Sequence, residues 1–178
     1  THMVVEYMVE DQRFAGRRPD VLVYQTPVLE EDVTVAGTVP VDLWVATTGT
    51  DADFVVKLID VYPDGVNRAE LPGYERMIRS EVFRGRYRNS YEKPEPFEPG
   101  KPARIRFELL DVLHTFKKGH RIMVQIQSTW FPLVDRNPQK YVENIYYAKP
   151  EDFQKATHTV FRTSGMPTNV ELSIVTGK

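Results

Sequence analysis

The sequence contains no cysteine among its 178 residues. Disulfide bonds and thiolate metal sites are therefore excluded, because both require the cysteine sulfur. No apolar run approaches the ~18 residues that a membrane-spanning helix needs, and no signal-peptide pattern is visible. The charge is nearly balanced, with 23 Lys and Arg against 25 Asp and Glu. This composition indicates neither nucleic acid nor a membrane as a partner, and it does not indicate a compartment.

The motifs of common enzyme sites are also missing. A nucleophile elbow, Gly-x-Ser-x-Gly, needs two glycines four residues apart to make its strained turn, and no two of the ten glycines have that spacing. Neither a glycine-rich phosphate loop nor a His-x-x-x-His metal spacing occurs. The sequence therefore predicts no catalytic residues, no cofactor and no metal ligands. Aspartates 51, 53, 60 and 64 leave a calcium site open, although aspartates also favour ordinary turns.

Histidine is scarce, and three histidines remain beyond the first three residues: His114, His120 and His158. His120 lies an even number of positions before the apolar residues of the segment that follows it, so in a strand it would point to the same inner face. We therefore expect it to be buried and hydrogen-bonded. An independent enzyme would need these histidines to form a compact site with a nucleophile in reach. Structural or surface roles are the favoured interpretation.

Strand patterning is what the sequence has in abundance. Apolar and polar residues alternate over 41–46, 104–109, 121–126 and 170–174, which predicts strands with one buried and one wet face. Segment 54–61 is apolar on both faces, as in a central strand. The 13 prolines and 10 glycines leave room only for short helices, such as one at 150–155. We predict an all-β fold, a jelly-roll sandwich of about eight to ten strands.

Two groups of residues are candidates for contact with another domain. Arg84, Arg86 and Arg88 alternate with other residues, so a strand would place all three on one face. Such a cationic strip could pair with carboxylates across an interface, and ion pairs within the domain are the alternative. The second group belongs to an aromatic, proline-containing loop and consists of Trp130, Phe131, Arg136 and Asn137.

Blocks of sequence spread over residues 11–175 carry a resemblance to a known family. They include Asp11-Gln12-Arg13, Asp51-x-Asp53-Phe54, Asp60-Val61-Tyr62-Pro63-Asp64-Gly65, Arg86-Tyr87-Arg88-x-Ser90, Lys118-Gly119-His120-Arg121-Ile122, Phe131-Pro132 and Arg136-Asn137. In order and spacing they resemble the C-terminal domain of the X-Pro dipeptidyl-peptidase family. That family includes cocaine-esterase-like hydrolases, α-amino-acid ester hydrolases and glutaryl-7-aminocephalosporanate acylase-like proteins.

The resemblance implies a function without catalysis. Family members join an α/β-hydrolase domain, which holds a Ser-Asp-His triad, to a C-terminal jelly roll similar to galactose-binding modules. This chain would be that jelly roll, packing on the catalytic domain of the same parent chain and shaping substrate access. The parent substrate (ester, amide or X-Pro peptide) stays open. The alternative is a carbohydrate-binding module that stacks sugars on exposed aromatic residues, with Trp44 and Trp130 as candidates.

The ends of the chain carry two further expectations. Residues 1–3, Thr-His-Met, are typical of a cloning remnant, which leaves 4–178 as the domain. The family's jelly roll begins a few dozen residues before the Asp11 block, so we expect one or more N-terminal strands to be missing. An open sheet edge would then be available to a second copy, and a homo-oligomer is left open.

Overall fold

The computed structural model describes residues 9–65 and 72–176, and within these residues it has ten strands and only short helical segments. The strands are β1 (Val21–Gln25), β2 (Val33–Thr47), β3 (Asp53–Val61), β4 (Glu75–Arg84), β5 (Ala103–Phe116), β6 (Arg121–Gln127), β7 (His158–Val160), β8 (Arg162–Thr163), β9 (Met166–Pro167) and β10 (Asn169–Val170). The helical segments are α1 (Arg13–Gly16) and the 3₁₀ turns Gly85–Tyr87, Ile145–Tyr147 and Pro150–Asp152.

Two antiparallel sheets form the body of the domain. The first has the strand order β1-β6-β3-β4, and the second has the order β10-β2-β5, with β7 also paired to β2. Strands β8 and β9 form a separate hairpin. The predicted all-β sandwich with short helices is confirmed.

The core lies between the two sheets and follows the predicted alternation. Leu43 on β2 and Ile105 on β5 are both fully buried, and they face each other across a cross-strand pair. Removing such apolar surface from water contributes about 25 cal/mol per Å². The same cluster contains Val41, Val45, Phe54, Val56, Leu58, Leu109, Phe116, Ile122 and Ile126.

Strand β3 is buried on both faces, as expected of a central strand, since every residue from Asp53 to Asp60 is buried. One of them is a lysine. The Lys57 ammonium donates to Gln12 Oε1 at 2.7 Å and lies 4.4 Å from the centre of the Trp130 ring. Burial lowers the pKa of Lys57 to about 8, because a low-dielectric environment disfavours the charged form.

The prediction of a wet face for β6 is wrong. Met123 and Gln125, two of the residues predicted to face water, are both buried, and so is the neighbouring Gln127. The N-terminal segment covers this outer side of the sheet, where Gln12 and Ala15 are themselves fully inaccessible to solvent. A covering segment that is remote in sequence leaves no trace in the local pattern of a strand.

The C-terminal alternation at 170–174 also forms less strand than expected. Within this C-terminal segment only the two residues of β10 pair with β2 as a strand. Ile174 makes a single bridge to Val35 and is 57% exposed. Between these contacts β2 has a bulge, where its register with β5 shifts between Gly37 and Val39. The bulge bends β2 and interrupts pairing along it.

The helix predicted at 150–155 is a single 3₁₀ turn. It begins at Pro150, and the Asp152 carboxylate accepts from the Lys149 N–H at 3.0 Å. The chain then leaves the helical path because the Gln154 N–H donates to the Pro138 carbonyl at 3.0 Å. A tertiary hydrogen bond therefore ends the helix early.

Candidate functional site

A buried ion pair lies at the end of the sandwich where β3 begins. Asp51 is fully buried, and Arg86 is 3% exposed. The Arg86 Nε and Nη2 atoms donate to Asp51 Oδ2 at 3.0 and 2.5 Å, and Nη2 also donates to the Val142 carbonyl at 2.9 Å. The guanidinium lies 4.6 Å from the centre of the Tyr141 ring. Arg86 thus attaches the segment around residue 142 to the sheet.

A second buried carboxylate belongs to Asp53, the first residue of β3. It accepts from Asn137 Nδ2 at 2.9 Å and from Arg84 Nη1 at 3.4 Å. Burial raises the pKa of Asp53 to about 6, although the Arg84 charge and the Asn137 hydrogen bond act in the opposite direction. Arg84 also binds Asp135 at 2.5 Å. These contacts attach the loop of residues 128–139 to the start of β3.

The predicted cationic strip at 84–88 does not form. Strand β4 ends at Arg84, and the next residues make a 3₁₀ turn. A side chain at Gly85 would come within 2.5 Å of the Phe97 ring and 2.8 Å of the Ala52 carbonyl, so the chain turns where only glycine fits. Arg88 donates to the carbonyls of Gly85 and Glu95 instead of facing outward.

The 128–139 loop has a buried side and an exposed side. Trp130 is 6% exposed and Asn137 is also 6% exposed, whereas Phe131 is 58% exposed. The Arg136 guanidinium lies between two rings, 5.3 Å from the centre of Phe131 and 5.5 Å from that of Phe153. Of the four predicted loop residues, Phe131 and Arg136 are exposed, and Trp130 and Asn137 are buried.

Sequence reasoning missed two exposed apolar side chains in the region of Phe131. Phe153 and Leu133 are 40% and 39% exposed and lie in the same region as Phe131. Leu133 was inside the predicted loop and its exposure could have been inferred from its neighbours. Phe153 is far along the chain and reaches the loop only through the tertiary fold.

A cavity of about 650 Å³, the end cavity, opens beside the 128–139 loop. Its walls come from the end of β6, from the loop, and from the segment that leads into β7. Gln127, Thr129 and Gln139 provide polar groups, and Leu22 and Phe153 provide apolar surface. A volume of this size is in the range of ligand sites, about 300–1,000 Å³.

Several buried polar atoms at this cavity have no hydrogen-bond partner. Seven buried side-chain atoms in the described residues lack a partner, and four of them belong to residues that line the cavity: Gln127, Thr129, Gln139 and His158. Gln139 adopts a φ of 63°, which is uncommon for a residue with a side chain. Buried orphan atoms and backbone strain both mark places where a structure departs from its own best packing.

The three histidines do not form one site. His114 and His120 both bind the buried Asp60, at 2.9 and 2.8 Å, near the opposite end of β3. His158 is at the end cavity, where burial lowers its pKa, and its ring lies 5.9 Å from that of Phe54. Among the described residues no serine hydroxyl is hydrogen-bonded to a histidine. The arrangement offers no catalytic triad in this part of the chain.

No group of three or more His, Asp or Glu in the described residues is arranged to hold a metal ion. Three of the four aspartates that left a calcium site open bind protein side chains instead of forming such a group. Asp51 and Asp53 bind arginines and Asn137, and Asp60 binds two histidines. Within the same residues no helix is long and apolar enough to cross a membrane.

The fold defines a class, the all-β sandwich domain built of two antiparallel sheets. The family model that describes the X-Pro dipeptidyl-peptidase C-terminal non-catalytic domain matches residues 8–171 of this chain. The chain belongs to this family.

Relatives agree with that assignment. The chain is 36% identical over 165 residues to cocaine esterase from Rhodococcus sp. (strain MB1 Bresler). The aligned residues cover 93% of this chain and 27% of that protein. An aminopeptidase from a marine sediment archaeon, Thaumarchaeota archaeon, superposes with a TM-score of 0.92 at 48% identity, over 96% of this chain and 28% of that one. An α-amino acid ester hydrolase gives a TM-score of 0.91 at 46% identity, over 95% and 28%. The chain therefore spans little more than a quarter of the length of these relatives.

Proposed function

We propose that this domain packs on the catalytic α/β-hydrolase domain of a serine hydrolase and borders the route by which substrate enters. Family membership and the chain's share of about 27% of its relative's length support this. The parent would act on esters, amides or X-Pro peptides. The observation that carries the proposal is the 128–139 loop, because a buried ion-pair network holds it while apolar side chains point outward.

The contact surface we propose contains Phe131, Leu133, Arg136 and Phe153. Three of these are apolar and 39–58% exposed. Neighbouring exposed apolar side chains are typical of interaction surfaces, and aromatic residues with arginine are enriched where protein surfaces meet. Arg84 and Asn137 hold the loop through Asp135 and Asp53, and Trp130 is buried beneath it. Arg86 and Arg88 bind other segments, at Val142 and at Gly85 and Glu95.

The first experiment compares the isolated chain with its full-length parent. Both are assayed on a p-nitrophenyl ester and on an X-Pro p-nitroanilide. We expect turnover by the parent alone. Activity of the isolated chain that survives repurification would overturn the proposal.

A second experiment tests the surface. Phe131→Ser in the parent should lower the thermal midpoint of the parent, while the isolated domain keeps its stability because the side chain is exposed. Tyr147→Ser is the matched control, since Tyr147 is 81% exposed and lies outside the proposed surface. Equal effects of the two variants on the parent would remove this surface from the proposal.

We also propose that β5 accepts a further strand from another chain. Within the described residues β5 pairs only with β2, and Leu110 and Leu113 are 61% and 82% exposed. A long, open and apolar strand edge readily pairs with another chain. Light scattering of the isolated chain should therefore detect self-association, and a clean monomer at high concentration would count against it.

Carbohydrate binding is the alternative function, and one observation favours it. Tyr146 and Tyr147 are consecutive and 85% and 81% exposed, and exposed aromatic faces can stack on sugar rings. The two tryptophans are less suitable, because Trp130 is buried and Arg104 lies over Trp44 at 5.7 Å. Titration with mono- and oligosaccharides, followed by tyrosine and tryptophan fluorescence, tests this function.

A further inference from the structure

The end cavity has an unusual electrostatic character. Arg136 and Lys155 both line it and are exposed. Neither forms an ion pair with a carboxylate in the described residues. The Arg136 guanidinium makes cation–π contacts with the two aromatic rings described above. The acid that also lines the cavity, Asp20, is already held by Arg18 through Nε at 2.9 Å and through Nη2. The mouth of the cavity therefore carries two uncompensated positive charges.

The interior of the cavity needs hydrogen-bond donors. The Oε1 atoms of Gln127 and Gln139 are buried acceptors without a partner, and Thr129 Oγ1 is unpaired as well. Gln127 is only 3% exposed, and its amide nitrogen is already committed to the Thr129 carbonyl at 2.8 Å. An unsatisfied buried acceptor destabilises the structure, because it has given up its hydrogen bonds to water without replacing them. An occupant that donates hydrogen bonds would remove that cost.

We propose that the end cavity seats an acidic polypeptide segment from the part of the parent hydrolase outside residues 1–178. A carboxylate of the segment binds Arg136 and Lys155, and N–H groups of the segment donate to the Gln127 and Gln139 oxygens. The guanidinium is suited to a two-point contact with a carboxylate. An extended backbone supplies N–H groups at regular intervals, as in other peptide-recognition grooves.

The apolar part of the cavity fits the same occupant. Leu22, 41% exposed, and Phe153, 40% exposed, leave room for an apolar side chain next to the carboxylate. The cavity adjoins the proposed contact surface, so one segment could reach it when the two domains pack. This inference rests on the proposed function, and it adds the chemistry and the place of one contact.

The first test measures amide hydrogen exchange in the isolated chain and in the full-length parent. Seating of the segment should slow exchange by at least ~10-fold at residues 127–139 and 153–157 in the parent. Arg136→Glu combined with Lys155→Glu in the parent should abolish this protection. Lys93→Glu is the matched control, because Lys93 is an exposed cation elsewhere on the domain, and protection should persist in that variant.

The possible outcomes are separable. Protection elsewhere on the domain, with none at residues 127–139 and 153–157, overturns this inference and the proposed contact surface, and it leaves the packing of this domain on the catalytic domain standing. A parent that shows no protection anywhere on this domain overturns both. Protection at the cavity that survives the double charge reversal overturns the acidic character of the segment.

A second test identifies the occupant. A water-soluble carbodiimide joins an amine to a carboxylate in contact with it, with loss of water. In the parent we expect the Lys155 amine to be linked to an Asp or Glu outside residues 1–178, as read by mass spectrometry. Links only to acids within residues 1–178, either in the same chain or between two copies, would overturn the inference.

Discussion

The two ends of β3 neutralise buried aspartates in different ways. At its start, Asp51 and Asp53 bind the guanidinium groups of Arg86 and Arg84. At its far end, Asp60 is 2% exposed and binds two histidines, His114 on β5 and His120 before β6. The arginine end uses guanidinium groups, whereas the histidine end uses imidazole rings.

The difference follows from what each end holds in place. The arginines reach long loops, because Arg86 binds the carbonyl of Val142 and Arg84 binds Asp135. A guanidinium has five donors in a rigid plane, so one side chain can fix several loop groups at once. His114 instead connects the two sheets, since Asp60 is on one and His114 is on the other, whereas His120 precedes β6 of the same sheet as Asp60. Short side chains are sufficient there because the sheets already face each other.

The largest effect is expected from Arg86→Ala. This change leaves the fully buried Asp51 carboxylate without its partner, which typically costs about 3–5 kcal/mol. Urea unfolding of the isolated domain measures the loss. Arg18→Ala is the control, since Arg18 pairs with Asp20 at the surface, where such pairs contribute about 0–1 kcal/mol. Similar losses for the two variants would show that burial of this pair has no special importance.

Asp53→Asn tests whether the arginine end compensates both of its carboxylates. The folded pKa of about 6 lies above the ordinary value of 3.8, so the folded state holds its proton longer than the unfolded state does. The stability contribution of Asp53 therefore falls as pH rises from about 4 to about 6 and is constant above that.

The variant cannot lose a proton there, so its stability relative to the original protein should rise by about 2–3 kcal/mol across this pH interval. Urea midpoints for both proteins at several pH values from about 4 to about 7 provide the measurement. Parallel pH profiles would contradict the raised pKa and would mean that Arg84 compensates the charge fully.

The smallest effect is expected from Asp60→Asn at the histidine end. The asparagine keeps one oxygen for one histidine and loses the charge and the second acceptor, at a cost of about 1–2 kcal/mol. His114 and His120 retain access to water, with side chains 22% and 15% exposed, so part of the lost bonding is replaced by solvent. Urea unfolding at neutral pH measures it, and a loss as large as that of Arg86→Ala would erase the contrast between the two ends.

The sequence predicted the strands better than it predicted the surroundings of the strands. Alternation placed Leu43 and Ile105 in the core correctly, because a strand's side-chain period is a local property. The same reasoning failed for Gln125 and Gln127, which a remote segment covers. It also failed at Gly85, where contact with Phe97 turns the chain out of the strand.

The candidate site shows the same division. The sequence identified the loop from Trp130 to Asn137 with its arginine and aromatic residues, and its motif blocks contain Asp51 and Arg86. It could not indicate that these blocks meet in one buried network, because their separation along the chain is closed only by the folded sheets. Phe153 and Lys155 joined the site for the same reason.

By itself, then, the amino-acid order determined the all-β class, the central strand and the family, since each depends on local periodicity or on residues in fixed succession. The tertiary structure decided which charges are compensated, which polar atoms lack partners and where a cavity opens. Those properties depend on distances between segments far apart in sequence, and burial sets their energies only after the sheets have packed.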